Sequence, residues 1–231
     1  ATGSASTAMG NSTEATGNAS TAMGGFTTAS GFYSTAMGRI TTASGFYSTA
    51  MGNGTTASGD SSTAMGILTT ASGNYSTAMG SFTTASDYGS LVIGQYNSSG
   101  STVTNSASQF NTANTAFVIG NGEDSSNKSD AFKVMFNGDA TVGNDLTVSG
   151  DVVVSSDARL KSNIVSLGST LSRLLLIDGK SYEMKGKQKI GVLAQDIKEV
   201  FPELVTEDSN EMLAVNYQGL VPVLINALKE Q

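Results

Sequence analysis

Small and apolar positions in the first third of the chain recur with a strict beat. Ala8, Ala15, Ala22, Ala29, Ala36, Ala43, Ala50, Ala57, Ala64, Ala71, Ala78 and Ala85 stand seven residues apart. Met9, Met23, Met37, Met51, Met65 and Met79 stand fourteen apart, each followed by Gly, and Ile93-Gly94 continues that series. One unit is therefore two short segments, Ser-Thr-Ala-Met-Gly and Thr-Thr-Ala-Ser-Gly, separated by turns. A coiled coil is excluded, because a Gly at every seventh position costs about 1 kcal/mol each in a helix and β-branched Thr adds to it. The period predicts a solenoid of short strands, whose spacing of about 4.8 Å would raise the stack by roughly 30 Å over six repeat intervals. Gly/Ser/Thr-rich segments are commonly flexible linkers, but a linker has no need for Met and Ala in fixed register. Between the segments, where turns are expected, fall Gly25-Phe26, Phe32-Tyr33, Arg39-Ile40, Phe46-Tyr47, Ile67-Leu68, Asn74-Tyr75 and Ser81-Phe82. Apolar side chains there either form a ladder of ligand contacts or pack between neighbouring chains.

The period lapses after Gly94. Ala116–Gly122 and Ala131–Asp139 read as short strands ending in Asn-Gly turns, and further short runs lie at 140–143, 146–150 and 151–154. Strands this short cannot stabilise one chain alone. From Ser155 the pattern turns globular. Leu167, Leu171, Leu174 and Leu175 predict a helix over 166–177, and strands are expected at 180–184, 188–193 and 212–215. A second helix runs from Gln195 to Phe201 and stops at Pro202, and a last one spans 217–229 with Leu220, Val223, Leu224, Ala227 and Leu228 as an apolar stripe. That stripe suits either core packing within one chain or, the preferred reading, a seam between three chains. The expected organisation is 1–94, 95–154 and 155–231.

The chemistry available is narrow. The chain has no Cys and no His, which removes thiolate chemistry, disulfides, Ser-His-Asp triads and most zinc sites, so neither a metal nor a cofactor is expected. Net charge is −7, with three basic against eight acidic residues up to 150 and nine against eleven beyond. A nucleic-acid partner is therefore not expected. No apolar run approaches the roughly 20 residues of a membrane span, so no membrane insertion is expected in this segment. The chain opens at Ala1 without a charged and apolar leader. Residues 1–122 hold only Glu14, Arg39, Asp60 and Asp87 as charges, too few for the paired carboxylates of a glycosidase.

On the Ser-x-Ala-x-Gly spacing of its units, the first segment resembles the head repeats of YadA-like trimeric autotransporter adhesins. The resemblance implies a mainly β repeat solenoid, a trimeric left-handed parallel β-roll, with Met where the family commonly has Ile or Val. Residues 95–154 resemble the shaft of phage tail fibres and tailspikes, which implies a β-prism stalk. Three blocks, 156–164, 189–205 and 215–230, resemble the peptidase S74 domain, the intramolecular chaperone of endosialidases, which implies a small α+β chaperone domain with a C-terminal helix.

The S74 resemblance implies self-cleavage, with Ser156 attacking the carbonyl before it, Lys161 acting as base, and the Ser155–Ser156 bond as the scissile one. A solvated Lys has a pKa near 10.4, leaving about one in 10³ neutral at pH 7, so burial must lower it to roughly 7–8. Five residues put the pair about 140° apart on a helix and on opposite faces of a strand, so a turn must lie between them. Asn163, Gln195 and Asn216 are candidates for orienting the site or lining an oxyanion pocket. The expectation is a homotrimeric extracellular fibre, on a cell surface or virion, that binds a surface ligand such as a glycan or protein. Its only enzymology would be on its own chain. In the competing reading the S74-like domain is never released and is itself the binding tip.

Overall fold

The computed structural model describes residues 1–208 and 211–231 and divides into two compact units, Ala1–Asp151 and Val152–Gln231. The first is a parallel β-solenoid. Each coil gives one five-residue strand, such as Thr21–Gly25, and one two-residue strand, such as Thr28–Ala29. The long strands stack in parallel with identical residues in register, Ala22 on Ala36 and Met23 on Met37. They form a ten-stranded sheet, and the short strands form a facing six-stranded one.

Side-chain alternation along the long strands from Thr21 to Ser81 turns Ala inward, fully buried, while its Thr and Met neighbours face outward and stay half-buried; Ala8 in the first strand is half-buried. The core is consequently a column of methyl groups ending at Val92 and Val118. Two further columns line the interior. Ser20, Ser34 and Ser48 donate to the carbonyl three residues back, at 2.6–2.8 Å. Thr27, Thr41, Thr55, Thr69 and Thr83 are equally buried, and their hydroxyls have no hydrogen-bond partner among the described residues.

So thin a core demands close backbone approach. Gly52 has φ 127°, and a Cβ built on it would lie 2.0 Å from the Gly66 carbonyl oxygen. The two corners of each coil also need one left-handed residue apiece, and the chain fills several with bulky side chains: Phe26 (φ 57°), Tyr33 (58°), Ile40 (55°), Tyr47 (57°) and Leu68 (52°). That conformation costs an L-residue roughly 1–2 kcal/mol, and a β-branched one such as Ile40 is an outlier.

The stack runs past Gly94, where the sequence period lapses. Strand Thr115–Asn121 lies on Leu91–Gln95 in the same parallel register, Ile119 over Ile93 and Gly120 over Gly94. The intervening loop is clasped by two carboxylates. Asp87 is fully buried where earlier coils carry Gly, and it accepts the N–H groups of Thr104 (2.5 Å) and Thr115 (2.7 Å). Asp130 accepts those of Ser98 and Ser99. Antiparallel strands Asp130–Met135 and Ala140–Val142 finish the sheet. No strand forms from Gly143 to Ser156, and Leu146, Val152, Val153 and Val154 are exposed. The prism strands expected there are absent from the single chain.

The second unit is α+β. Hairpin Lys180–Met184/Lys187–Gly191 turns through Lys185 and Gly186, both at positive φ as a two-residue hairpin requires. Strands Val205–Glu207 and Leu213–Val215 pair antiparallel. Helices α1 (Leu171–Leu174), α2 (Ala194–Val200) and α3 (Leu220–Glu230) pack through Ile197, Phe201, Leu204 and Val223. The helix expected over 166–177 shrinks to α1, because Gly168 is left-handed (φ 66°) and the helix begins only after Thr170, whose hydroxyl donates to the Val223 carbonyl (2.9 Å). Glu230 at the end of α3 accepts the Ser169 hydroxyl (2.6 Å) and the N–H groups of Thr170 (2.6 Å) and Leu171 (3.1 Å). The Ser169 hydroxyl first, then the Thr170 N–H, hold its carboxyl below the ordinary range. The α3 stripe is split: Val223 and Ala227 are buried, whereas Leu224 and Leu228 are exposed.

Candidate self-cleavage site

Ser156 and Lys161 flank a single 3-10 turn, Ala158–Leu160. Asp157 caps it, its carboxylate accepting the Arg159 N–H at 2.8 Å. The same carboxylate holds the Arg159 guanidinium at 2.7 Å, and that side-chain bond, followed by the N–H, depresses the Asp157 carboxyl. At the end of the turn the Lys161 N–H donates to the Ala158 carbonyl at 3.1 Å. Leaving the turn in extended conformation, Lys161 sends its side chain back along it. Its Nζ donates to Ser156 Oγ at 2.7 Å.

That geometry suits proton exchange between the two groups, since it falls within the hydrogen-bond reach a general base requires. Electrostatics are less developed. Both residues are solvent-exposed in the single chain, and the Asp157 carboxylate is engaged by Arg159. The scissile carbonyl belongs to Ser155, which is also exposed.

The three accessory candidates stand apart from this pair. The Asn216 carbonyl oxygen is occupied in capping the turn Tyr217–Gly219, accepting the Gly219 N–H at 3.1 Å. Gln195 lies exposed in the first turn of α2, and Asn163 takes a left-handed conformation (φ 51°) two residues past Lys161. None has a hydrogen bond to Ser156 or Lys161 among the described residues. Sequence reasoning missed Asp157 and Arg159, although an Asp directly after a candidate Ser and before a short helical stretch is a cap signal.

Residues 156–206 match the family model described as chaperone of endosialidase, peptidase S74. Ser156 and Lys161 thus stand at the start of the matched stretch. Residues 1–27, 29–55, 43–69 and 71–97 match the YadA head domain repeat, in two-copy units. Head repeats come first and the chaperone-type module second, and the solenoid fold agrees with the repeat match. The repeats point to a surface-exposed, trimeric, adhesin-like fibre, and the second module to a chaperone domain. No curated protein matches the chain. Among the described residues no helix is long and apolar enough to cross a membrane.

Proposed function

We propose that the chain is a protomer of a homotrimeric extracellular fibre, with residues 1–94 as an adhesive head, 95–154 as a connector and 155–231 as an assembly chaperone that releases itself. The ligand would be a glycan or protein on a cell surface. The observation that carries the maturation reading is the 2.7 Å approach of Lys161 Nζ to Ser156 Oγ across a capped turn.

The chemistry balances without any added reactant but water. Neutral Lys161 takes the Ser156 hydroxyl proton as Oγ bonds to the Ser155 carbonyl carbon. The C–N bond of Ser155–Ser156 then breaks, and the leaving nitrogen takes the proton from the Lys161 ammonium. The resulting ester is hydrolysed by water, leaving a carboxylate on Ser155 and restoring the Ser156 hydroxyl. A Lys amine serves as a general base only where it is desolvated, and Lys161 is exposed in the single chain. Burial by neighbouring chains would supply that desolvation, so cleavage is tied to completed assembly. Exposed Val152, Val153, Val154, Leu224 and Leu228 supply apolar surface for that burial.

Intact mass and denaturing gels of freshly assembled wild type, Ser156→Ala and Lys161→Ala test this. The expected result is conversion of the wild type to pieces ending at Ser155 and beginning at Ser156, with both variants whole. A wild type that trimerises and stays whole removes the protease and leaves residues 156–231 as a permanent tip.

A further inference from the structure

The turn that joins Ser156 to Lys161 is held by its own residues. It is a 3-10 turn, Ala158–Leu160, with no buried side chain. Its backbone bonds are local: the Leu160 N–H donates to the Asp157 carbonyl and the Lys161 N–H to the Ala158 carbonyl, both at 3.1 Å. Among the described residues, no hydrogen bond or ion pair ties Asp157 or Arg159 to anything beyond the turn. So short a piece of helix is marginal in water. Whatever holds it therefore also sets the distance between the two reacting side chains.

Asp157 has two tasks there. As the cap, its Oδ1 accepts the Arg159 N–H at 2.8 Å. Its carboxylate also takes the Arg159 guanidinium, with Nε 3.1 Å from Oδ1 and 3.2 Å from Oδ2, and Nη2 2.7 Å from Oδ2. A Ser or Asn would cap equally well and place no charge beside Ser156. An Asp at this position brings a hazard. A Lys side chain long enough to bond the Ser156 hydroxyl can also reach the residue next to it, and a carboxylate attracts an ammonium by charge as well as by hydrogen bonding. Lys161 Nζ nevertheless lies on Ser156 Oγ at 2.7 Å, while the Asp157 carboxylate is turned to Arg159. The planar guanidinium meets a carboxylate through several donors at once, a fit that the point charge of an ammonium does not match. We propose that Arg159 is a positioning residue for self-cleavage: by occupying both oxygens of the capping carboxylate, it keeps Asp157 from capturing Lys161 and leaves Nζ on the Ser156 hydroxyl. Asp157 positions the same pair through its cap. Both act through Ser156 and Lys161 and not on the scissile carbonyl. The inference rests on the self-cleavage reading above and adds the residues that hold its two side chains together.

The side chains of Arg159 and Asp157 are 88% and 44% exposed, so substitution there leaves the packing of the C-terminal unit alone. The test is the rate at which the full chain converts to its two pieces, followed on timed denaturing gels, with light scattering to confirm that each variant assembles as the wild type does. Arg159→Ala frees the carboxylate and should slow cleavage roughly tenfold, and Asp157→Ala, which removes the cap, by about as much. Asp157→Asn keeps a cap without the charge and should lose no more than about threefold. The deciding variant is the double one. With no carboxylate left to capture Lys161, Arg159→Ala combined with Asp157→Asn should cleave at the rate of Asp157→Asn alone, faster than Arg159→Ala. The pair Arg159→Gln and Asp157→Ser, measured singly and together, should repeat that rescue with different side chains. A guanidinium that merely stiffened the turn would make Asp157→Asn and Arg159→Ala equally slow and the double variant no faster than either. That pattern in both sets, or Arg159→Ala cleaving at the wild-type rate, overturns the inference and leaves self-cleavage standing. A wild type that assembles and stays whole overturns both.

Discussion

The two units reach a fixed structure by opposite means. The solenoid has almost no side-chain core: its buried column is methyl and hydroxyl groups, and its specificity lies in how closely one backbone lies on the next. The C-terminal unit has irregular strands and a few large buried side chains, with Phe201 and Ile197 at its centre. In the first, the danger is an added atom. In the second it is a missing one, and one substitution in each unit turns that contrast into numbers.

The largest effect is expected from Gly52→Ala. Its Cβ would meet the Gly66 carbonyl at 2.0 Å, and that backbone is held by the next coil in turn. Overpacking against an immobile neighbour and a forced positive φ together should cost about 5 kcal/mol. Denaturant unfolding followed by Tyr fluorescence would show it, and a loss below 1 kcal/mol would mean that the coils are not tightly stacked. Next comes Phe201→Ala, which removes a ring that is 1% exposed and carries the Arg173 guanidinium 4.0 Å from its centre. Truncation should cost about 4 kcal/mol. Calorimetry should show the C-terminal transition lowered or lost and the solenoid transition unmoved. Movement of both would show that the units unfold together.

The same contrast explains what could be read from the sequence. The solenoid was legible because each coil makes an identical demand: the Met and Ala registers translate directly into Met23 on Met37 and Ala22 on Ala36. Its continuation past Gly94 was harder to see because an insertion stretches the interval. The signal survives in Val92-Ile93-Gly94 and Val118-Ile119-Gly120. In the C-terminal unit the leucine spacing over 166–177 mimics a helix that Gly168 forbids, and nothing local marks Glu230 as the group that would cap α1 from the far end of the chain. The Ser156–Lys161 pair came from family resemblance and the need for a turn. Why the turn forms, the Asp157 cap, was readable but unread.

A smaller effect, of opposite sign, is expected inside the solenoid. Thr55 is fully buried with its hydroxyl unpaired, so Thr55→Val replaces an unsatisfied polar atom by a methyl of similar size. The gain should be about 1 kcal/mol, and Thr41→Val should add to it, since the two lie in successive coils of one repeating environment. A loss on both substitutions would mean that the hydroxyl column is hydrogen-bonded in solution, for instance to interior water.

The smallest effect separates the units by pH. Glu230 is a carboxylate whose folded pKa is held below its unfolded value by Ser169 and Thr170. It therefore contributes stability that is fully present above the unfolded pKa, near 4.3, and is lost as pH falls through the depressed folded value. The charged side chains of residues 1–86 are only Glu14, Arg39 and Asp60, so that stretch has little to titrate. Acid should accordingly loosen the C-terminal unit first, freeing the 169–171 segment from α3 while the head stays folded. Amide exchange at Thr170 and Leu171 reads this locally: protection should persist at the unfolded carboxylate pKa, near 4.3, and fall only below it in the wild type. Glu230→Gln should show the low-pH exchange already at pH 6, once rates are corrected for intrinsic acid and base catalysis. Equal protection in the two proteins at pH 6 would show that the Glu230 clasp does not hold the segment.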